Sequence, residues 1–265
     1  MNAQQVTQLE DSIKKGMEYG YTQNLILKSS FDNFQKKVRE YLLTVNVAQN
    51  ILKWNSSHSF IVHLEYPSKD FYKNAFLSTR DVYPPGLSGE DILFVQPETI
   101  TRSTHAPYGK PKGLIDIAIM EERNEATYGN IRSIVGIEIK AINQSRTKVI
   151  EDVNRLANSM ITNDIVSENS IEVCYSVFVQ RLDKDDQILT KAEIAKKKNK
   201  TVIKWTKHIA KKCIFNGLTL TLIPFDIEVS GLEDVANMYD ETDDASEVAN
   251  ATGAVIGFLI KIERI

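Results

Sequence analysis

The sequence predicts an α/β domain with a mixed central sheet, and three observations carry that expectation. Short apolar runs of strand character alternate with longer stretches whose apolar residues recur at helical spacing. Their order is helix, helix, strand, strand, strand, helix, strand, helix, strand, strand. One run, 171–179 (IEVCYSVFV), is almost wholly apolar, as suits a strand covered on both faces. Finally, no internal repeat and no long Pro/Gly/Ser linker divides the 265 residues, so a single domain is expected. Within it, residues 1–54 supply N-terminal helices, 55–230 the core, and 231–265 a C-terminal extension of acidic segment and final strand.

The elements follow from spacing. Val6, Leu9, Ile13 and Met17 predict a helix over 1–20, and Phe31, Phe34, Val38, Leu42 and Val45 a second over 31–45. Residues 59–66 (SFIVHLEY) read as a strand closed by Pro67. The stretch 68–112 is mixed, rich in Pro, Gly, Ser and Thr, and extended only at 92–95; a loop of that length is often functional. Residues 114–120 (LIDIAIM) and 131–142 (IRSIVGIEIKAI) are strands around a polar turn at 121–130. A helix over 147–161 shows Val149, Val153, Leu156 and Met160 on one side. Another follows through Val202, Trp205, Ile209 and Cys213, and strands at 218–229 and 255–262 end the order.

Charge is unevenly spread. The chain has 32 basic and 35 acidic residues, a net −3. Residues 231–250 hold seven acids and no Lys or Arg, whereas 191–213 hold nine lysines against Glu193 alone. A near-neutral total therefore hides a basic surface, which suits a polyanion partner or is simply a solvated face. Two cysteines, Cys174 and Cys213, make no disulfide framework and read as inert core thiols. No apolar run reaches the ~18 residues of a membrane span, and the polar start has no signal-peptide pattern. The expected compartment is the cytoplasm. His58, His63, His105 and His208 lack zinc-ligand spacing. No G-x-S-x-G and no phosphate-binding P-loop is present.

The hairpin carries the chemistry. If Asp116 faces Glu138, the turn centres on Thr127, inside the stretch that composition marks as a turn. Period two then puts Ile115, Ile117, Ile119, Ile137 and Ile139 on one face. Leu114, Asp116, Ala118, Met120, Gly136, Glu138 and Lys140 take the other. Cross-strand neighbours lie about 5 Å apart at Cβ, so two carboxylates and one ammonium converge. Lys140 neutralises only one of them. A divalent cation resolves the rest, and oxygen donors favour Mg²⁺ or Mn²⁺. In 59–66, Glu65 lies with His63 opposite the apolar face and is a further candidate acid. Glu40 falls opposite its helix's apolar stripe and is expected in solvent, while Glu10 lies nearer the edge of its own.

Asp116, twenty-one intervening residues, then Glu138-Ile139-Lys140 inside apolar strands resembles the PD-(D/E)XK nuclease superfamily. The strand ending Glu65-Tyr66-Pro67 and the helical segment 150–156 (IEDVNRL) are similar too, so the likeness runs from about Phe31 to Val179. The proline often found before the first acid is absent: Leu114-Ile115 precede Asp116. The resemblance implies a restriction-endonuclease-like fold with a helix–strand–strand–strand–helix–strand core. It implies Mg²⁺ (or Mn²⁺) held by Asp116, Glu138 and the backbone carbonyl of Ile139, with Glu65 nearby and Lys140 handling the attacking water. The reaction it implies is phosphodiester hydrolysis, most naturally of DNA, leaving a 5′-phosphate. Lys110, Lys112 and Arg155 are the candidate nucleic-acid contacts, with Asp152 and Arg155, on the helix after the active strand, reading equally as a helix-surface pair. A homodimer or a protein partner stays open, as does a non-cleaving nucleic-acid-binding or assembly subunit on the same fold.

Overall fold

A computed structural model describes residues 1–30, 36–75, 81–82, 98–99, 113–122, 131–161, 169–182, 189–228 and 254–265. Two helices open the chain, α1 (Ala3–Ser30) and α2 (Lys36–Trp54), followed by strand β1 (Ile61–Pro67) and helix α3 (Ser68–Ala75). Two short strands, β2 (Asp81–Val82) and β3 (Glu98–Thr99), pair with each other. Then come β4 (Leu114–Glu122), β5 (Ile131–Lys140), α4 (Arg146–Met160), β6 (Val173–Arg181), α5 (Lys191–Lys212), β7 (Leu218–Asp226) and β8 (Val255–Arg264).

Six strands make one mixed sheet in the order β1-β4-β5-β6-β8-β7. Only β5 and β6 run parallel, and α4 is the crossover that a parallel pair requires. Helices cover both faces, and the sheet is correspondingly apolar on both. On one face Leu9, Ile13 and Met17 of α1 and Leu43, Val47 and Ile51 of α2 pack over Ile117, Ile119, Ile137, Ile139, Tyr175 and Val177. On the other, Phe71 of α3, Val153 and Leu156 of α4 and Trp205 of α5 pack over Ala118, Met120, Cys174, Phe178 and Phe258. Helices α1 and α2 approach closely because Gly16 has no side chain; a Cβ there would collide with the backbone of Val47. Burial pushes the thiol of Cys174 up to about 12 and that of Cys213 up to about 11, as inert core thiols require.

The α/β class and the mixed sheet are as the sequence predicts, but several elements differ. The final strand is no extension: β8 lies between β6 and β7, with Phe258, Leu259, Ile260 and Ile262 fully buried. Residues 68–75 are helical rather than loop. Phe71 and Ala75, one turn apart, anchor α3 in the core, a signal too short for periodicity to register. The second helix is α2, and its buried stripe is Leu43, Val47 and Ile51 instead of Val38, Leu42 and Val45; Val38 is exposed. Among the described residues no helix is long and apolar enough to cross a membrane. Residues 92–95, Thr127 and the acidic segment 231–250 lie outside the described residues.

Candidate active site

The β4–β5 register is the one read from the sequence. Ile117 faces Ile137, Ala118 faces Gly136 and Ile119 faces Val135, so one step further Asp116 stands opposite Glu138. A bulge between Ile119 and Met120 shifts the pairing toward the turn and leaves the Asp116 end unaffected. The predicted alternation breaks in one place: Ile115 packs with Ala118 and Met120, not with Ile117 and Ile119. The break falls beside Asp116. On the other flank, β1 and β4 pair at Leu64–Ile117 and Tyr66–Ile115, which puts Glu65 next to Asp116. Glu65 has a left-handed backbone, φ 51°, and is exposed. The strained residue thus sits where the alternation fails.

Each candidate side chain is held by a different device. Asp116 Oδ2 accepts the backbone N–H of Ile139 at 2.6 Å, which fixes the carboxylate across the two strands. Glu138 is fully buried under α4, and both its oxygens lack a hydrogen-bond partner. Arg155 Nη2 lies 2.6 Å from Glu138 Oε1 as a charge contact, and also donates to Asp152 Oδ1 at 3.1 Å, one helical turn earlier. Lys140 Nζ is 3.3 Å from Asp152 Oδ2, 3.4 Å from Glu40 Oε1 and 4.0 Å from Glu138 Oε2. Gly113 enters β4 at φ 95°, and a Cβ there would lie 3.2 Å from Arg155 Nη1, so the guanidinium fits against bare backbone.

Four carboxylates (Glu40, Asp116, Glu138, Asp152) thus surround two cations (Lys140, Arg155) in a largely buried pocket. Burial raises Glu138 well above the usual carboxylate range, and Asp116 beside it pushes the same way; Arg155 only partly offsets them. Burial likewise raises Asp116, against the Ile139 N–H bond and the Lys140 charge that favour its ionised form. Asp152 is raised by burial too, in spite of Lys140 and Arg155. For Lys140, burial acts to lower the ammonium, but Asp152, Asp116, Glu138 and Glu40 outweigh it and hold it above its ordinary value. Among the described residues, with every group ionised, the cluster carries two more negative charges than positive ones.

Asp116 and Glu138 are the carboxylates that could hold a divalent cation. Among the described residues no three His, Cys, Asp or Glu side chains converge as a ready metal site. Ile139 is fully buried and contributes its N–H to Asp116. Arg155, expected at a nucleic acid, turns inward to Glu138 and Asp152. Lys110 and Lys112 lie outside the described residues. Glu40 corrects the sequence reading: it is half-buried and reaches Lys140, because it shares the stripe of Leu43, Val47 and Ile51. That stripe is visible in the sequence once the helix is extended past residue 45. Asp152 and Arg155, readable as a pair on the helix after the strand, do pair, but turned inward to Lys140 and Glu138, partners that spacing could not give.

Compared with known proteins, the chain matches no family model, no curated protein and no solved structure.

Proposed function

We propose that this protein is a divalent-metal-dependent nuclease of the PD-(D/E)XK type that hydrolyses phosphodiester bonds, with DNA as its substrate. One observation carries the reading: Asp116, Glu138 and Lys140 converge on two paired strands among described residues that, fully ionised, are short of positive charge by two. The order α2, β1, β4, β5, α4, β6 supports it, since this is helix–strand–strand–strand–helix–strand with those strands adjacent in the same sequence. The helix α3 and the pair β2–β3 are then insertions between the first two core strands.

The donor set suits Mg²⁺ or Mn²⁺. It offers hard carboxylate oxygens, a charge deficit that one divalent ion closes, and a buried Glu138 whose oxygens have no hydrogen-bond partner. Asp116 and Glu138 would hold the ion, together with the Ile139 carbonyl. When bound, such an ion polarises the scissile phosphate and lowers the pKa of coordinated water. The chain's own residues do the rest. The Ile139 N–H bond to one oxygen fixes the Asp116 carboxylate in place. Lys140, held protonated by its four carboxylates, orients the attacking water and offsets charge developing on the phosphate. The water oxygen bonds to phosphorus as one of its protons passes to solvent, the P–O3′ bond breaks, the 3′-oxygen takes up a proton from solvent, and a 5′-phosphate remains.

A second reading, a non-cleaving nucleic-acid-binding subunit, draws on the inward Arg155, which already occupies Glu138. Incubation of supercoiled plasmid and linear duplex with Mg²⁺ or Mn²⁺ separates the two. Metal-dependent cutting by wild type that Lys140→Ala abolishes, with the far-ultraviolet spectrum unchanged, supports the nuclease. Mn²⁺ binding without cutting of any DNA or RNA supports the subunit.

A further inference from the structure

Arg155 and Glu138 form a contact that is close yet poorly satisfied at both ends. The carboxylate is fully buried, both its oxygens lack a hydrogen-bond partner, and the Arg155 Nε is also buried without one. A bidentate arginine–carboxylate fork would satisfy both groups; this one-point contact does not. The Arg155 side chain as a whole nevertheless keeps some exposure, 28%, and Asp152 holds its guanidinium from the side. Its position is therefore that of a replaceable counter-ion.

We propose that Arg155 is the resident counter-ion of Glu138 in the metal-free protein and competes with the divalent cation for that carboxylate. Loading the site moves the guanidinium off Glu138, leaving it tethered to Asp152. There it is free to meet a phosphate, so metal occupancy and substrate contact are coupled through one side chain. The inference rests on the nuclease reading only for the identity of the cation. Arg155 is a positioning residue in this scheme: it acts on the metal site through Glu138.

The test uses the whole chain without nucleic acid, with Mn²⁺ affinity read by electron paramagnetic resonance and stability by thermal unfolding. In Arg155→Met, Glu138 loses its closest cation and keeps only Lys140 at 4.0 Å, so the metal-free Tm falls by roughly 5–10 °C. Mn²⁺ affinity rises by about tenfold or more, and saturating Mn²⁺ restores the Tm. Adding Glu138→Gln to Arg155→Met recovers the Tm without metal and removes the response to Mn²⁺. If Arg155→Met does not fold without metal, Arg155→Lys shows the same trends at smaller size. The proposal is overturned if Arg155→Met binds Mn²⁺ no more tightly than wild type, or if Glu138→Gln fails to recover its Tm. Mn²⁺ binding by neither protein overturns both this proposal and the metal-dependent nuclease. Tighter Mn²⁺ binding by Arg155→Met, with no cleavage by any variant, upholds the counter-ion and removes the nuclease reading alone.

Discussion

Two charged clusters flank the central strands, and they are built from similar parts to opposite effect. On the α1 face, Lys261 Nζ lies 3.4 Å from Glu10 Oε1 and 2.9 Å from Glu263 Oε2, and the Tyr175 hydroxyl donates to Glu10 Oε1 at 3.2 Å. There the cation sits between two acids at the rim, and the buried phenol has an acceptor. Under α4, four acids surround two cations, and the most buried acid has no hydrogen bond at all. A cluster selected only for folding reaches satisfaction, because an unpaired buried charge costs several kcal/mol. One left under-compensated is a candidate for a ligand that completes it. The number of ion pairs does not separate the two; the unmet charge does.

The largest difference between them is expected in catalysis. Glu138→Gln should lower metal-dependent cleavage by roughly a hundredfold to ten-thousandfold, whereas Glu10→Gln should leave it within about twofold while retaining the fold. A comparable loss in Glu10→Gln, measured on the same plasmid, would break the contrast. Stability should move in the reverse sense. Removing one buried, under-compensated charge, Glu138→Gln stabilises the metal-free protein at neutral pH. Removing the charge that pairs with Lys261 and strengthens the Tyr175 bond, while keeping an acceptor oxygen, Glu10→Gln destabilises it by about 0.5–1.5 kcal/mol. Urea unfolding of the two variants beside wild type reads both signs.

The pH dependence sharpens the same contrast. Asp116, Glu138 and Asp152 all have raised values in the folded protein, so below their ordinary carboxylate range they are protonated in folded and unfolded chains alike. As pH rises, the unfolded chain releases these protons first, and stability is lost progressively through the raised folded values. Glu138→Gln removes the largest contributor. Its Tm should match wild type in acid and exceed it increasingly toward neutral pH, with Mn²⁺ closing the gap by stabilising wild type only. A gap independent of pH would mean that Glu138 is not strained by its charge.

Much of this site was legible in the chain. Two apolar runs with a polar turn between them fixed the register that brings Asp116 to Glu138, because a slip of one residue would have turned every isoleucine to the wrong face. The helix bearing Val149, Val153 and Leu156 was readable for the same reason: its stripe is regular. Glu40 was misplaced because the stripe was phased on Phe31, Phe34 and Val38. In the folded chain, α2 starts at Lys36 and takes its phase from Leu43, Val47 and Ile51. The position of β8 between β6 and β7 is a long-range pairing, invisible to local spacing. The inward turn of Arg155 depends on the depth of Glu138 beneath α4, which no pattern along one chain reports.

Glu65 gives the smallest effect and the finest test of where the unsatisfied region ends. It neighbours Asp116 in the β1–β4 register yet is exposed and carries φ 51°, a conformation that costs a non-glycine residue about 1–2 kcal/mol. Glycine would release that strain and lose about 0.5–1 kcal/mol through the greater freedom of the unfolded chain. Strain relief outweighs that loss, so Glu65→Gly should be more stable than wild type by up to ~1 kcal/mol. If the carboxylate belongs with Asp116 and Glu138, the same variant should cleave more slowly and bind Mn²⁺ less tightly, gaining stability where it loses function. Unchanged cleavage and metal affinity in a stabilised Glu65→Gly would place the boundary of the site at Asp116. It would also leave the left-handed residue as a bend in β1 with no chemical part.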